Sequence, residues 1–212
     1  MHPSPPFRQA SRQANLSFAS ERGFGVLVLN LGDASDPLLS HVPFLLTEEG
    51  NFVHAHLSKA NPMLDILGEG EQRAVLAVSG PDGYISPDWY ETDPGQVPTW
   101  NYVAVHLRGL LRLRPVDTLR DHLEALTAKL EERLLPKPPW RIDKVPERQL
   151  QALMRAILPV ELEVEVVDGT WKLNQNKPNT ARLAAAAHVE AGGSGMETLL
   201  LAELMRSPPE TD

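Results

Sequence analysis

Five of the chain's seven Trp and Tyr residues fall between Tyr84 and Tyr102. The stretches Gly83-Tyr-Ile-Ser-Pro-Asp-Trp-Tyr-Glu91 and Val97-Pro-Thr-Trp-Asn-Tyr102 mix flat rings with hydroxyls, amides and prolines. Rings give stacking surface at low entropy cost, and Ser86, Thr99 and Asn101 give fixed hydrogen-bonding groups. That composition suits a planar polar ligand or an interface better than the filling of a barrel end, because it sits in a loop and a strand entry.

A second group is His54-x-His56 followed by Ser58-Lys-Ala-Asn61. A period of two puts Phe52, His54, His56 and Ser58 on one strand face. Two histidines on one face invite a metal, with His41 or His106 as a third ligand. A cupin-like site would need a Glu three or four residues after the pair, where Ala60 and Asn61 stand, so metal is the weaker reading. The rival is a phosphate cradle, with Lys59 for charge and free N–H groups at a helix start capped by Asn61. Plain solvated polar residues at a strand exit remain open.

Arg108, Arg112 and Arg114 make a basic stripe of period two, which could meet nucleic-acid phosphates. The alternating Glu161, Glu163 and Glu165 offer a matching acidic row, and cross-strand ion pairs would account for both. The second account is preferred. Gly23-x-Gly25 has no third glycine and no helix after it, so it is not a dinucleotide fingerprint. The chain has neither a Gly-x-Ser-x-Gly elbow nor a Walker lysine motif. Glu48-Glu49 and Glu131-Glu132 read as solvated surface.

The 212 residues suffice for a core of their own, with 42% hydrophobic and 23% charged residues. The absence of cysteine excludes disulfides, thiolate metal sites and Cys nucleophiles. Twenty Lys plus Arg against 28 Asp plus Glu give a net charge of −8, the wrong sign for a non-specific nucleic-acid binder. No apolar stretch approaches the ~18 residues that span a bilayer, and Met1-His-Pro-Ser-Pro-Pro6 lacks the apolar region of a secretory signal. The expectation is a cytoplasmic chain without a membrane segment.

The elements that must position these groups read as follows. A short helix covers Arg8–Ala19. Runs at 23–30, 38–46 and 51–58 read as an antiparallel meander, the first closed by the turn-rich Gly32-Asp-Ala-Ser-Asp-Pro37. Asn61 and Pro62 start a brief helix to Leu67, and Arg73–Ser79 is a strand. A loop over Gly80–Pro98 leads to a long strand, Thr99–Arg114. Leu119, Leu123, Leu126, Leu130 and Leu134 stripe a helix over Thr118–Leu135, with Thr118 and Asp121 as a capping box. A second helix covers about Glu147–Ile157. Val160, Leu162, Val164 and Val166 alternate with glutamates in a strand, and Asp168-Gly169 is expected to turn the chain into Thr170–Leu173 as a hairpin. Helices follow at Thr180–Glu190 and Met196–Arg206, separated by the flexible Gly192-Gly-Ser-Gly195. Six or seven strands without β–α–β alternation indicate an antiparallel barrel with peripheral helices.

Five blocks in order carry a resemblance: Ser40-His-Val-Pro-Phe-Leu-Leu46, His56-Leu-Ser-Lys-Ala-Asn-Pro62, Tyr84-Ile-Ser-Pro-Asp-Trp-Tyr-Glu91, Val97-Pro-Thr-Trp-Asn-Tyr-Val-Ala-Val-His106 and Trp171-Lys-Leu-Asn-Gln-Asn-Lys-Pro178. Over residues 23–182 the chain resembles the PaiB family, the FMN-binding negative transcriptional regulators of the FMN-binding split-barrel superfamily. The resemblance implies a mainly β fold, a six-stranded antiparallel split barrel that dimerises and holds FMN in a groove at the subunit interface. It places the barrel over residues 1–178, with a helical insertion at about 118–157, and leaves 179–212 as a helical tail.

Carried over by position, Lys59 and Asn61 lie near the flavin phosphate, and His41 and His56 line the groove. Ser86, Trp89, Thr99, Trp100, Asn101 and Tyr102 surround the ring or form its partner-subunit wall. Trp171, Lys172, Asn174, Gln175 and Lys177 close the other side. No residue stands out as an obligatory acid or base, so any chemistry would be the flavin's. No helix-turn-helix is visible, which leaves direct DNA contact open. Two further readings stay open: a flavin-dependent oxidoreductase using NAD(P)H, and a dimeric interaction module that has lost its flavin.

Overall fold

The computed structural model describes residues 1–30, 36–92 and 95–209. The turn expected between the first two strands therefore lies, as far as Ser35, outside the described residues. So do positions 93 and 94 of the expected 80–98 loop and the last three residues of the tail.

A 3-10 turn at Pro5–Phe7 leads into α1 (Arg12–Arg22). The described strands are β1 (Phe24–Leu29), β2 (Leu38–Pro43), β3 (Leu45–Leu46), β4 (Phe52–Ser58), β5 (Gln72–Ile85), β6 (Thr99–Leu113), β7 (Ile157–Lys172) and β8 (Gly195–Met196). The helices after α1 are α2 (Met63–Leu67), α3 (Leu119–Glu132), α4 (Glu147–Met154), α5 (Asn179–Gly192) and α6 (Thr198–Arg206). The described strands form one sheet in the order β2-β1-β5-β6-β7-β4-β3, with β8 added to β5. The chain is thus an antiparallel sheet with peripheral helices, a split-barrel fold.

The expected meander is corrected at Phe44. The run 38–46 is not one strand: β2 pairs with β1, while β3 pairs with β4. Between them Phe44 is fully buried and its N–H donates to the Gly23 carbonyl at 2.9 Å. One residue therefore joins the two ends of the strand order, so the sheet must curl until its edges meet there. The alternating patterns of β4 and β7 place Val53, Ala55 and Leu57 beside Val160 and Leu162 in the core, with His54 opposite Glu161 across the pair.

Two glycine-bearing segments, one read as loop and one as a hairpin turn, are strand instead. β5 runs on through Gly80-Pro-Asp-Gly83, so the expected loop begins only after Ile85. β7 passes through Asp168-Gly169 without a hairpin. In each case the glycine admits a neighbour: a Cβ on Gly80 would meet the Phe18 ring at 2.4 Å, one on Gly83 would meet Leu201 at 2.9 Å, and one on Gly169 would meet Asn15 Oδ1 at 1.8 Å. Close approach, not reversal, is why glycine stands there. The capping box is also corrected, since the Thr118 hydroxyl donates back to the Pro115 carbonyl at 2.7 Å and caps nothing in α3. Leu119 and Leu126 of the expected stripe are buried, whereas Leu134 lies past the end of α3 and is exposed.

The described chain forms two compact units. One comprises Met1–Arg22, Ala77–His106 and Val167–Asp212, and the other Gly23–Leu76 and Leu107–Val166. In the first unit α5 packs on α6 and on the 3-10 turn Pro87–Tyr90. Arg182, 9% exposed, donates to the Met205 and Arg206 carbonyls and so satisfies the C-terminal end of α6. No described helix is long and apolar enough to cross a membrane.

Candidate functional site

The residues singled out by sequence fall into two sets, one in each unit. His41, His56, Lys59 and Asn61 belong to the second unit, and the remainder to the first.

In the second unit β4 ends at Ser58 and the chain turns into α2. Asn61 builds that turn. Its Oδ1 accepts the Met63 N–H at 3.0 Å, its carbonyl accepts the Leu64 N–H at 3.0 Å, and its Nδ2 donates to Ser40 Oγ on β2 at 2.6 Å. The helix-start N–H groups expected to cradle a phosphate are therefore already taken by Asn61, and the five-residue α2 adds no anion site of its own. What the turn leaves available is different. Lys59 is exposed, and its ammonium has no side-chain partner among the described residues. The Ser58 hydroxyl accepts the Ala60 N–H at 3.3 Å, and the Ser40 hydroxyl accepts from Asn61, so both still have a proton to donate.

The histidines of β4 are committed to the fold. His54 Nε2 lies 2.9 Å from Glu161 Oε2. His56 Nδ1 lies 3.1 Å from Nε2 of His122, which α3 presents from a buried position. Burial pushes His54 down, helped by Arg114, while its bond to Glu161 pulls the other way. Burial also lowers His56. It lowers His122 to about 4, aided by the neighbouring His56, His54 and Arg114. One nitrogen of the His56–His122 pair must be an acceptor, so the contact requires at least one neutral ring. His41 is exposed on β2, 6.3 Å from the half-exposed Phe24 ring. Among the described residues no group of three or more His, Asp or Glu side chains is placed to hold a metal. Sequence reasoning missed His122, because an isolated histidine on a leucine-striped helix gives no signal until the helix is docked.

Two of the three arginines of the basic stripe meet the glutamate row as expected. Arg112 donates to Glu161 at 2.7 Å and to Glu163 at 2.8 Å, and Arg114 lies 3.6 Å from Glu161. Glu165 pairs instead with Arg73 of β5.

In the first unit the aromatic segment forms a chain of ring contacts. Tyr84 meets Trp89 at 6.4 Å and Trp100 at 6.3 Å, both edge-on. The exposed Trp100 indole donates to Asp82 at 3.0 Å. Trp89 lies flat against His188 of α5, with centroids 5.7 Å apart and planes 11° from parallel. The tail thus covers a face of one of the expected ring-wall residues. Ser86 and Tyr102 are half-buried at the two ends of the segment. Asn101 is fully buried, and neither of its amide atoms has a hydrogen-bond partner. Trp171 is also buried: its indole donates to Asn15 at 2.8 Å and its ring meets Phe18 edge-on at 5.2 Å.

The turn after β7 is braced by Gln175, whose Oε1 accepts the Leu173 N–H at 2.8 Å and whose Nε2 donates to the Trp171 carbonyl. Asn174 takes the left-handed conformation at φ 63°. Lys172 donates to the Thr99 hydroxyl at 2.6 Å, and Lys177 to the Gln96 carboxamide.

Residues 1–166 match the protein family described as "Putative FMN-binding domain". This chain belongs to that family. It is 27% identical over 176 residues to "Protease synthase and sporulation protein PAI 2" of Bacillus subtilis, covering 82% of each chain. The fold resembles an FAD- and heme-binding protein from Mycobacterium smegmatis, at 17% identity and TM-score 0.56, covering 90% of this chain and 82% of the other. It also resembles the flavocytochrome Anf3 from Azotobacter vinelandii, at 17% identity and TM-score 0.53, covering 81% and 72%. The family resemblance read from the five sequence blocks is borne out, and FMN is the cofactor the chain has to accommodate.

The residues at the β4–α2 turn fit that cofactor's phosphate. A phosphate monoester needs a cation and several hydrogen-bond donors. Lys59 supplies an uncommitted ammonium, and Ser40 and Ser58 supply hydroxyl protons. Bound FMN would supply hydride or electron transfer, which no side chain can perform.

Proposed function

We propose that this protein is an FMN-binding split-barrel homodimer, acting in the cytoplasm as a PaiB-type regulator, with the flavin at the interface between protomers. In this reading Lys59 neutralises the phosphate, Ser40 and Ser58 donate to it, and Asn61 holds Ser40 and the turn in place. A twofold interface of a rigid sheet gives a flat cofactor two preformed walls. His41, beside the exposed Phe24, lies on an outer sheet face where a partner protomer can pack.

The observation that carries the reading is an ammonium with no carboxylate, at the motif that matches the family, in a chain with excess acid. The pairing of two of the three stripe arginines supports regulation without that face of the sheet gripping DNA, since Arg112 and Arg114 already have glutamates to answer them.

Titration of the purified apoprotein with FMN and with riboflavin tests the phosphate assignment. Lys59→Ala should weaken FMN by about tenfold or more, the loss of one charge-assisted contact, and riboflavin by less than about twofold. Equal weakening of both ligands would remove Lys59 from the phosphate. Light scattering of the FMN-loaded protein should give twice the chain mass, and a monomer would refute the shared groove.

A further inference from the structure

The aromatic segment of the first unit is held from beyond residues 1–166, the region that matches the family. The Ser194 carbonyl of the tail accepts the Tyr84 N–H at 2.8 Å, which fixes the backbone of the ring that meets both Trp89 and Trp100. His188 of α5 lies flat on Trp89, 5.7 Å between centroids and 11° from parallel, within the offset-stacked range.

Burial does not produce this stack. α5 turns Ala181, Ala185, Ala186 and Val189 into the fold, each at most 1% exposed, whereas the His188 side chain is 45% exposed. The imidazole is oriented instead by Glu91, whose Oε1 lies 3.5 Å from His188 Nε2. Glu91 takes the left-handed conformation at φ 50°, which glycine adopts freely and a residue with a Cβ adopts at a cost. A carboxylate thus stands where the backbone alone would favour glycine, beside the ring on Trp89. Exposed ion pairs add little to stability, so the use of this one is to hold a ring at an angle.

The helix that carries His188 is itself anchored. Arg182 donates to the Met205 and Arg206 carbonyls, Leu201 and Met205 of α6 are fully buried, and Arg22 of α1 holds Glu197 at 2.8 and 2.9 Å. An imidazole on a fixed helix can fix the indole it lies on.

We infer, on the reading that places Trp89 beside the flavin, that His188, oriented by Glu91, is a positioning residue for Trp89 and sets the wall that the isoalloxazine meets. With one indole face taken by the imidazole, the cofactor has only the rest of that ring to meet. A wall acts on the ring system that FMN and riboflavin share, not on the phosphate that FMN alone carries.

Fluorescence titration of the apoprotein with FMN and with riboflavin tests this in His188→Ala, Trp89→Leu and the double variant. His188→Ala should weaken both flavins equally, by about fivefold, with an unchanged urea midpoint. Trp89→Leu should weaken both by about tenfold. Adding His188→Ala to it should cost less than about twofold more, since a residue that acts through the indole has nothing to act on once it is gone. Glu91→Ala should weaken both flavins in the parent and neither in His188→Ala. Unchanged flavin affinity in His188→Ala, beside a weakened Trp89→Leu, overturns the inference and leaves Trp89 at the flavin. Losses that add in the double variant overturn it too, as does a loss confined to FMN. Trp89→Leu without effect on either flavin takes Trp89 out of the ring wall and His188 with it. Trp89→Met replaces Trp89→Leu in the cycle if that variant fails to fold, with circular dichroism as the check.

Discussion

The sheet's arginines and the lysines of the 171–177 turn handle positive charge in opposite ways. Along β6 and β7, Glu161 answers both Arg112 at 2.7 Å and Arg114 at 3.6 Å, and Glu163 answers Arg112 again at 2.8 Å. At the turn, Lys172 and Lys177 meet hydroxyl, carboxamide and ring faces but no acid among the described residues. A stripe of like charges is a conspicuous sequence feature, yet the acidic row on the neighbouring strand answers Arg112 and Arg114. An ammonium held only by neutral oxygens and ring faces is inconspicuous in sequence, because its setting is decided by residues distant along the chain.

The largest way to stress this contrast is acid. His122 is held near 4 in the folded chain, against about 6.5 when unfolded, and His54 and His56 are lowered too. Between those values the unfolded chain binds more protons, so stability rises with pH. The contribution is full above about pH 6.5 and is lost as pH falls toward 4, a loss of about 3 kcal/mol from His122 alone. Urea midpoints measured from pH 7.5 to 4.5 should fall steeply, and His122→Leu should flatten the slope. An equally steep curve in that variant would place the acid sensitivity outside the His56–His122 contact.

The sequence exposed what is periodic and hid what depends on neighbours. The alternation in β4 and β7, the leucine pattern of α3 and the pairing of arginine with glutamate rows were all legible, because burial of one strand or helix face writes itself into spacing. Gly80, Gly83 and Gly169 were misread as loop or turn markers, because glycine signals both reversal and close approach. Only Phe18, Leu201 and Asn15, distant in sequence, reveal which one applies. The meander failed for a related reason, since nothing local shows that one buried Phe44 divides a hydrophobic run between two sheet edges. Of the candidate site, Lys59 was legible from its motif. The role of Asn61 as a brace, the histidine partner on α3 and the stacking of Trp89 on His188 required coordinates.

A smaller effect sharpens the balanced side of the comparison. Glu161 has a side chain only 15% exposed and organises three basic groups. Glu161→Gln keeps the shape and removes the charge, leaving two half-buried guanidiniums facing a neutral amide. The expected cost is about 2 kcal/mol, read as a shift in urea midpoint with unchanged slope. FMN affinity should not change, because the phosphate set at Lys59 does not use this carboxylate. A stability change below about 0.5 kcal/mol would mean that Glu163 and solvent suffice to answer the arginines.

The smallest effect belongs to the unanswered side. In a turn built only for stability, deleting a half-buried ammonium that donates at 2.6 Å to Thr99 should cost about as much as any charged hydrogen bond, about 1.5–3 kcal/mol. If the turn instead lines the flavin groove, its ammonium stands without a counter-ion among the described residues until the cofactor is bound. Lys172→Met keeps a long apolar side chain at the half-buried position, and Thr99 keeps a hydroxyl that can turn elsewhere. The stability of the ligand-free variant should then lie within about 0.5 kcal/mol of the parent, and could rise because an uncompensated charge has been removed. Added FMN should stabilise the parent against heat more than Lys172→Met, since a ligand raises stability in proportion to how tightly the chain binds it. A destabilised variant whose midpoint responds to FMN as fully as the parent's would put Lys172 with the arginines, as a structural cation.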